Sequence, residues 1–509
     1  MKLERNFGIK MSKLTKSCHL LNLINVDPAI KIDSKYNNIN VNGLAHDSRK
    51  VEPGFIFGAL KGEFADGANF IDSAIERGAS VIICDLDVVK QVPDNVCLIK
   101  CKDPRRVFSL MASKFYESAI KNISAVTGTN GKTSVVHFCR EIWKYLNIHA
   151  ASIGTIGIED TIGKVEYDRD NFLTTPDPIK LRTIIQQLEK RGVSHIAMEA
   201  SSHGLDQSRL DGLHITVGAF TNLSRDHLDY HKSFDNYFKA KMLLFTEVMP
   251  KASFAVINSD IEQFEDIKNI CIAKEHIIYS YGRANNSYIQ IIDIKNNILG
   301  QDISFKIGNE IYRVSTSLIG EFQVYNMLCS LAMVLAFGAD VNQSVKSLSS
   351  LAYVPGRMER VTESSDKIAV FVDYSHTPDA LEKALNVLRP YCKGRLVVVF
   401  GCGGNRDQGK RPMMGKIAAT LADVVVVTDD NPRNEDANKI KEEIISAAPS
   451  AHNIGNRRDA IKFAISTMQA GDVLLIAGKG HEKTQIIKDE ILPFDDVQVA
   501  KEIISEGLK

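Results

Sequence analysis

The densest set of chemistry-bearing residues is TGTNGKT, Thr127 to Thr133. Glycines in such a loop let backbone N–H groups converge on an anion. Lys132 can reach β- and γ-phosphate oxygens, and the Thr133 hydroxyl can hold a Mg²⁺ ion. The loop is a shortened form of the usual phosphate-binding pattern, whose first glycine falls here at Val126. Glu199 ends an apolar run, His195 to Met198, and opens EASSHGLDQSRL. A carboxylate at the C-terminal end of a strand beside a phosphate-loop strand is where a metal-binding acid belongs. His203, His227 and His231 lie close in sequence, but their spacing fits no standard zinc pattern. His227 is therefore read with the nucleotide's Mg²⁺. Lys241 sits among the apolar positions of SFDNYFKAKMLLFTEV, where Phe234, Tyr237, Phe238, Leu244, Phe245 and Val248 make one face. Two readings stand: a solvated lysine, or an inward amine that needs a carboxylate partner or a chemical modification.

These residues need a strand, a loop and a helix to position them. Ile123 to Val126 has the length and apolarity of a buried strand, and Val136, Cys139, Trp143 and Leu146 recur at helical spacing after Thr133. A helix N-terminus after a glycine loop adds positive potential for phosphate.

At 509 residues the chain is too long for one core, and about three domains are expected. Its zero formal charge argues against a broad attraction to nucleic acid or anionic membrane. The nine cysteines form no CxxC pair and read as small buried apolar residues of a reducing compartment. No window approaches the roughly 18 apolar residues of a membrane span, and the N-terminus lacks a signal-peptide core, so a cytoplasmic protein is expected.

The expected fold class is α/β, in three parts. Residues 1–102 carry short strands at Phe55 to Leu60, Ser80 to Cys84 and Val96 to Lys100. Residues 103–351 form the nucleotide domain with a mostly parallel sheet, closed by a helix over Gly320 to Gly338. Residues 352–509 alternate strands (Ala369 to Asp373, Leu396 to Phe400, Asp423 to Thr428, Val473 to Ala477) with helices. This last part is Rossmann-like, and its ligand site is expected at the strand ends. Four polar loops lie there: DYSHTPD, GCGGNRDQGKRP, DDNPRNED and GKGHEK. Arg406 takes the last glycine position of a GxGxxG pattern, which argues against a dinucleotide.

Read together, HDSR, ADG, GTNGKTS, LTTPDP, EASSHGLDQSRL, SRDHLDYH, PGRMER, DYSHTPDAL, GCGGNRDQGKRPMM, DDNPR and GKGHE resemble the motifs of the Mur ligases of peptidoglycan synthesis. The set spans all three parts, and the likeness is to the branch acting on UDP-N-acetylmuramoyl-L-alanyl-D-glutamate. Departures are small: Gln323 stands where the family often has Asn, Ser375 where it often has Ala, and Glu63 and Phe64 lie in a variable uridine-side loop. The resemblance implies a UDP-binding domain, a central ATPase domain and a mobile amino-acid domain, working as a monomer on small molecules. It implies that ATP phosphorylates a substrate carboxylate and that an amine then displaces phosphate from the acyl phosphate. Closure of the third domain would keep water out.

Site roles follow from the same resemblance. Gly128, Thr129, Asn130, Gly131, Lys132, Thr133 and Ser134 would cradle ATP, with Asn326, Arg357 and Asp373 around it. Thr133, Glu199, His227 and Lys241 would hold Mg²⁺, Lys241 as a CO₂-derived carbamate (N6-carboxylysine). His46 and Ser48 would face the uridine; Thr174, Thr175, Ser201, Gln207 and Arg209 the muramoyl-dipeptide. Arg411, Asp430, Asn431, Pro432, Arg433, Gly478 and Glu482 would take the incoming amino acid. Meso-diaminopimelate is expected there rather than L-lysine, because Arg433 offers a bidentate fork for the carboxylate that lysine lacks, while Glu482 can accept from the distal ammonium.

Folylpolyglutamate synthetase shares the central chemistry but lacks the N-terminal part marked by HDSR and ADG. A GTPase-type switch would need NKxD for guanine, which the sequence does not contain.

Overall fold

The computed structural model describes residues 17–62, 65–167, 173–297, 300–362 and 367–507. Glu63 and Phe64 lie outside the described residues. The chain divides into two compact units.

The smaller unit comprises Met1–Ala119, Pro176–Arg191 and Gln207–Leu213. Its centre is a four-stranded parallel sheet in sequence order, Gly43–Ala45, Phe55–Gly58, Val81–Asp85 and Cys97–Cys101. Ile56, Val81, Ile83 and Ile99 face Phe108 and Met111 of the helix Pro104–Phe115 in one core. Asp103 starts that helix by accepting from the Arg106 N–H, with Pro104 in its first turn. Gly58 is required by close packing: a Cβ there would lie 2.7 Å from the Phe108 ring. Arg182, on the helix Pro178–Lys190, is buried and donates to the carbonyls of Arg209 (2.6 Å) and Asp211, which fixes the segment Gln207–Leu213.

The larger unit holds two sheets. The ten-stranded one runs Glu310–Thr316, Gly300–Ile307, Ile289–Asn297, Ile277–Gly282, Phe254–Asn258, Ile215–Phe220, Asn122–Thr127, His195–Glu199, Ala150–Gly154, Gly157–Asp160. It is parallel from Ile289–Asn297 to Ala150–Gly154 and antiparallel at both edges. The phosphate-loop strand sits centrally, between Ile215–Phe220 and the strand ending in Glu199. Helices Lys132–Tyr145 and Glu321–Ala336 pack together in its core through Val135, Phe138, Cys139, Leu328 and Leu331. The helix bearing Lys241 does not continue regularly. Its α-helical part is Phe234–Leu243, and Leu244–Val248 is a π-helical turn, which rotates Leu244, Phe245 and Val248 relative to the regular spacing read from sequence.

The second sheet runs Glu359–Arg360, Ala369–Asp373, Val473–Ala477, Leu396–Phe400, Val424–Val427, His452–Asn453 and is parallel apart from its first strand. Helices Pro378–Leu388, Lys410–Leu421, Ala437–Ile445 and Arg457–Ser466 alternate with its strands. The two short edge strands escape a sequence reading because they are two residues long and not apolar. A hairpin, Thr484–Ile487 with Glu490–Pro493, follows the last loop.

Candidate active site

The phosphate loop links the strand Asn122–Thr127 to the helix Lys132–Tyr145. Both of its glycines are demanded. Gly128 (φ 136°) and Gly131 (φ 91°) are left-handed, and a Cβ would overlap the Thr221 hydroxyl at the first and the Asn326 amide at the second. Asn222 braces the loop by accepting from the Asn130 N–H (2.9 Å) and the Thr129 N–H (2.9 Å). The Thr129 hydroxyl meets the Tyr237 hydroxyl at 3.1 Å. Thr133 and Ser134 are buried in the helix's first turn, where free N–H groups face the loop.

Lys132 Nζ donates to the carbonyls of Gly128 and Thr129, both at 2.9 Å. Lys241 is 1 % exposed and points inward, while Lys239 stays outside. Its Nζ donates to the same Gly128 carbonyl at 2.7 Å and lies 4.4 Å from the centre of the Tyr237 ring. Burial and the neighbouring Lys132 ammonium hold the Lys241 amine well below the usual lysine range. Burial also lowers Lys132, against the pull of Glu199 and Asp226.

Glu199 is buried at its strand end and accepts from the Thr155 N–H (2.7 Å) and hydroxyl (3.1 Å). Gly154 leaves it room, since a Cβ there would collide with the carboxylate. Thr174 touches Thr155 hydroxyl to hydroxyl (3.2 Å), and the Thr175 hydroxyl donates to the Glu199 carbonyl (2.8 Å) and lies 3.0 Å from Ser201 Oγ. The two threonines and Ser201 are thus tied to the acid. His227 is left-handed (φ 53°); its N–H donates to Asp226 (2.9 Å) and its ring meets that carboxylate at 3.3 Å. Burial pushes the imidazole down to about 3 despite Asp226.

The second sheet contributes to this site. Arg357 donates to Thr133 Oγ1 (3.0 Å) and its guanidinium lies 4.4 Å from the centre of the Tyr374 ring. Asp373 accepts from the Met358 N–H (2.6 Å) and the Ser375 hydroxyl, and burial raises its carboxyl. Asn130 donates to Asp379 (3.2 Å), and Arg225 pairs with Asp407 (3.2 Å). Asn326 donates to Gln323 Oε1 (3.1 Å), so the glutamine at the start of this helix holds the amide that faces Gly131.

A cleft of about 790 Å³ gathers residues 129–134, Thr174, Glu199, Ser201, His227, Lys241, Asn326, Arg357 and Asp373. Thr155, Thr221, Asn222, Asp226, Tyr237 and His376 also line it and were not singled out from sequence. Single polar residues carry no pattern of their own; a hint lay in the NLSRDHLDYH loop, whose Asn222 and Asp226 precede His227.

The residues read for the incoming amino acid lie outside the lining of that cleft: residues 430–433, Gly478 and Glu482 follow the ends of Val424–Val427 and Val473–Ala477, and Arg411 is on the helix Lys410–Leu421. Asn431 donates to Glu482 (2.9 Å), and the fully buried Lys479 donates to both Asn431 and Glu482 at 3.0 Å. Gly478 (φ 108°) lies against Asp430, with a Cβ position 2.7 Å from its carboxylate. Arg433 (φ 51°) pairs through its backbone with the hairpin at Ile486 and Lys488 and donates through Nη1 to the Gly404 carbonyl (2.9 Å). The Pro432 carbonyl accepts from the Glu435 N–H (3.1 Å). Arg411 is fully buried and bridges Glu435 (2.8 Å) and Glu443 (2.9 Å). Tyr374 stands between these loops and the cleft: it faces Arg357 on one side and the His481 ring, at 5.1 Å, on the other.

In the smaller unit, Ser48 is buried in a short turn after His46, with Asp47 accepting from the Arg49 N–H and side chain. Arg209 donates to Gln207 (2.7 Å).

Three family models match the chain: Mur ligase family, catalytic domain, over residues 40–116; Mur ligase middle domain over 126–334; and Mur ligase, glutamate ligase domain, over 356–480. A curated protein of Brucella melitensis, named UDP-N-acetylmuramoyl-L-alanyl-D-glutamate--2,6-diaminopimelate ligase, is 44% identical over 459 residues, 90% of this chain and 93% of that protein. The chain belongs to the Mur ligase family. A Bradyrhizobium diazoefficiens protein of the same name is 45% identical over 94% of this Mur ligase and 97% of its own length. A solved structure of a ligase of that name is 32% identical, with a TM-score of 0.68 and coverage of 95% and 99%. The three-part α/β fold is that of the family, and the enzyme is an ATP-dependent ligase that forms amide bonds.

Proposed function

We propose that this Mur ligase joins meso-diaminopimelate to UDP-N-acetylmuramoyl-L-alanyl-D-glutamate in peptidoglycan synthesis. The names of its relatives support the reading. The observation that carries the choice of amino acid is Arg433. Among the described residues its guanidinium uses only Nη1, on carbonyls, and has no carboxylate partner. That leaves an edge for the carboxylate that lysine lacks.

The proposed parts are 1–102 for UDP, 103–351 for ATP and 352–509 for the amino acid, in one chain acting in the cytoplasm. Among the described residues no helix is long and apolar enough to cross a membrane. The substrate carboxylate attacks the γ-phosphorus and ADP leaves. The amine of diaminopimelate then attacks the acyl carbon, loses a proton and displaces phosphate. Lys132 stabilises charge on the transferred phosphoryl group while the loop N–H groups hold the β- and γ-phosphates. Arg357, already at Thr133, and Asp373 position ATP from the third part.

Thr133, Glu199, His227 and Lys241 would hold Mg²⁺. The residues fit. Glu199 is a buried acid, His227 stays neutral, and the Lys241 amine is buried beside a second ammonium with no carboxylate bonded to it among the described residues. As a carbamate, Lys241 becomes the missing anion. Bound by these residues, Mg²⁺ would supply charge neutralisation to the phosphates. Thr174, Thr175 and Ser201 hold the dipeptide carboxylate near Glu199; Gln207, Arg209, His46 and Ser48 hold the rest of the nucleotide substrate.

The test compares kcat/KM for diaminopimelate and lysine in wild type and Arg433→Ala. Wild type should prefer diaminopimelate strongly, by up to about 10⁴-fold. The variant should lose most of that preference through its diaminopimelate value. Equal use of lysine by the wild type refutes the assignment.

A further inference from the structure

We propose that Lys479 is a positioning residue: a buried ammonium with no surface of its own to offer a substrate, which fixes the Glu482 carboxylate for the distal ammonium of the incoming amino acid. The proposal rests on the reading of Glu482 as the acceptor for that ammonium, and adds the group that holds it ready.

An ammonium out of water is costly unless it is paired and hydrogen-bonded. Lys479 is 0 % exposed. Its Nζ donates to Asn431 Oδ1 and to Glu482 Oε2, both at 3.0 Å. Among the described residues Glu482 is its one acid within ion-pair range. The local backbone makes this placement. The strand Val473–Ala477 ends at Gly478 (φ 108°), and Gly480 (φ 52°) turns the chain again two residues later. Both are left-handed, and a Cβ at Gly480 would lie 2.7 Å from the Gly356 carbonyl oxygen. The lysine between them is carried inward. The Glu482 N–H then donates to the Lys479 carbonyl (2.9 Å), which closes the turn and brings the acid back to the ammonium.

The bonding around Glu482 is one-sided. Oε2 accepts from Lys479 and also from Asn431 Nδ2 (2.9 Å). Oε1 accepts from no donor among the described residues, and the side chain stays 30 % exposed. A pair that serves the fold alone buries both partners, as Arg457 and Asp496 do. Here the cation is enclosed and the acid keeps an open oxygen. Lys479 also ties two loops together. Asn431 Oδ1 accepts from it and from the Ile486 N–H (3.0 Å), so one ammonium joins the DNPR segment, the GKGHE loop and the start of the hairpin. Without it the carboxylate would have to be ordered anew for each substrate, and that ordering subtracts from binding.

The experiment uses full-length enzyme with ATP, Mg²⁺ and UDP-N-acetylmuramoyl-L-alanyl-D-glutamate. It measures kcat and KM for diaminopimelate and for 2-aminopimelate, which keeps the distal carboxylate but lacks the distal amine. Lys479→Met should lower kcat/KM for diaminopimelate about tenfold, through KM, and leave the value for 2-aminopimelate and the KM for ATP unchanged. Lys479→Gln, which keeps a donor without the charge, should fall between, and it carries the test if the methionine variant does not fold. In a Glu482→Gln background, Lys479→Met should cost nothing further. An equal loss for both amino acids, or no loss for either, overturns the role. The reading of Glu482 is checked separately. If wild type uses 2-aminopimelate as well as diaminopimelate, that reading fails and the role of Lys479 with it. A preference that Glu482→Gln abolishes and Lys479→Met leaves intact removes Lys479 alone.

Discussion

Lys132 and Lys241 donate to one acceptor, the carbonyl oxygen of Gly128, at 2.9 and 2.7 Å. Two ammonium groups on one buried carbonyl are electrostatically unfavourable, and Lys241 lies over the Tyr237 ring, with no carboxylate bonded to it among the described residues. A neutral amine is the form that reacts with CO₂. This geometry fits the proposed carbamate at Lys241, which would leave the charge on Lys132 for the phosphates of the proposed reaction.

Lys241→Ala is expected to be nearly inactive, with partial rescue by formate or acetate. Wild type given ¹³C-bicarbonate should show a carbamate carbon resonance that the variant lacks. A wild-type spectrum without that resonance at full activity contradicts the modification.

Lys132→Ala should lower turnover about a hundredfold or more, because it removes charge stabilisation in phosphoryl transfer. Its thermal unfolding should stay close to that of wild type. Near-normal turnover in a steady-state ATPase assay with both substrates would remove this loop from the chemistry.

Much of this centre was legible because its residues are local. TGTNGKT encodes strand, turn and helix start within a short stretch, and Glu199 follows directly on its own strand. Lys241 stood out because its helical neighbours are apolar. What sequence could not supply was partners far along the chain: Gly128 for Lys241, Thr133 for Arg357, Asp407 for Arg225. Those pairings depend on the order of strands in the sheets, which no local pattern encodes. The π-helical turn after Leu243 was hidden for a related reason: burial of Leu244, Phe245 and Val248 outweighs the regular helical spacing. Arg411, read from the resemblance as an amino-acid contact, and Lys479, in the polar loop GKGHEK, are both fully buried on acids.

Stability should fall as pH drops below about 6.5. Burial holds His137 and His376 at about 4 and His481 at about 3, below their ordinary 6.5. Between those values the unfolded chain binds protons that the folded chain refuses, so acid favours unfolding. His137 is held neutral at Nδ1, which accepts from Arg140 (3.1 Å). The urea midpoint should fall from pH 7.5 to pH 5, and His137→Gln should reduce that slope. A midpoint independent of pH in this range contradicts the assignment.

Arg457 and Asp496 form a fully buried two-bond pair (2.8 and 2.7 Å) joining helix Arg457–Ser466 to helix Asp496–Gly507. Arg457→Ala strands a buried carboxylate and should cost about 3–5 kcal/mol. Replacing both partners with apolar residues should cost less than the single change. Denaturant unfolding measures this, and a single variant within about 0.5 kcal/mol of wild type would contradict it.

The most direct measurement is a competition. The purified enzyme is given ATP, Mg²⁺, UDP-N-acetylmuramoyl-L-alanyl-D-glutamate and equal concentrations of diaminopimelate and lysine, and the products are read by mass spectrometry. The expected result is the diaminopimelate tripeptide almost alone, with ADP and phosphate formed in equal amount. Lysine product at comparable yield, or ATP hydrolysis without any amide product, would contradict it.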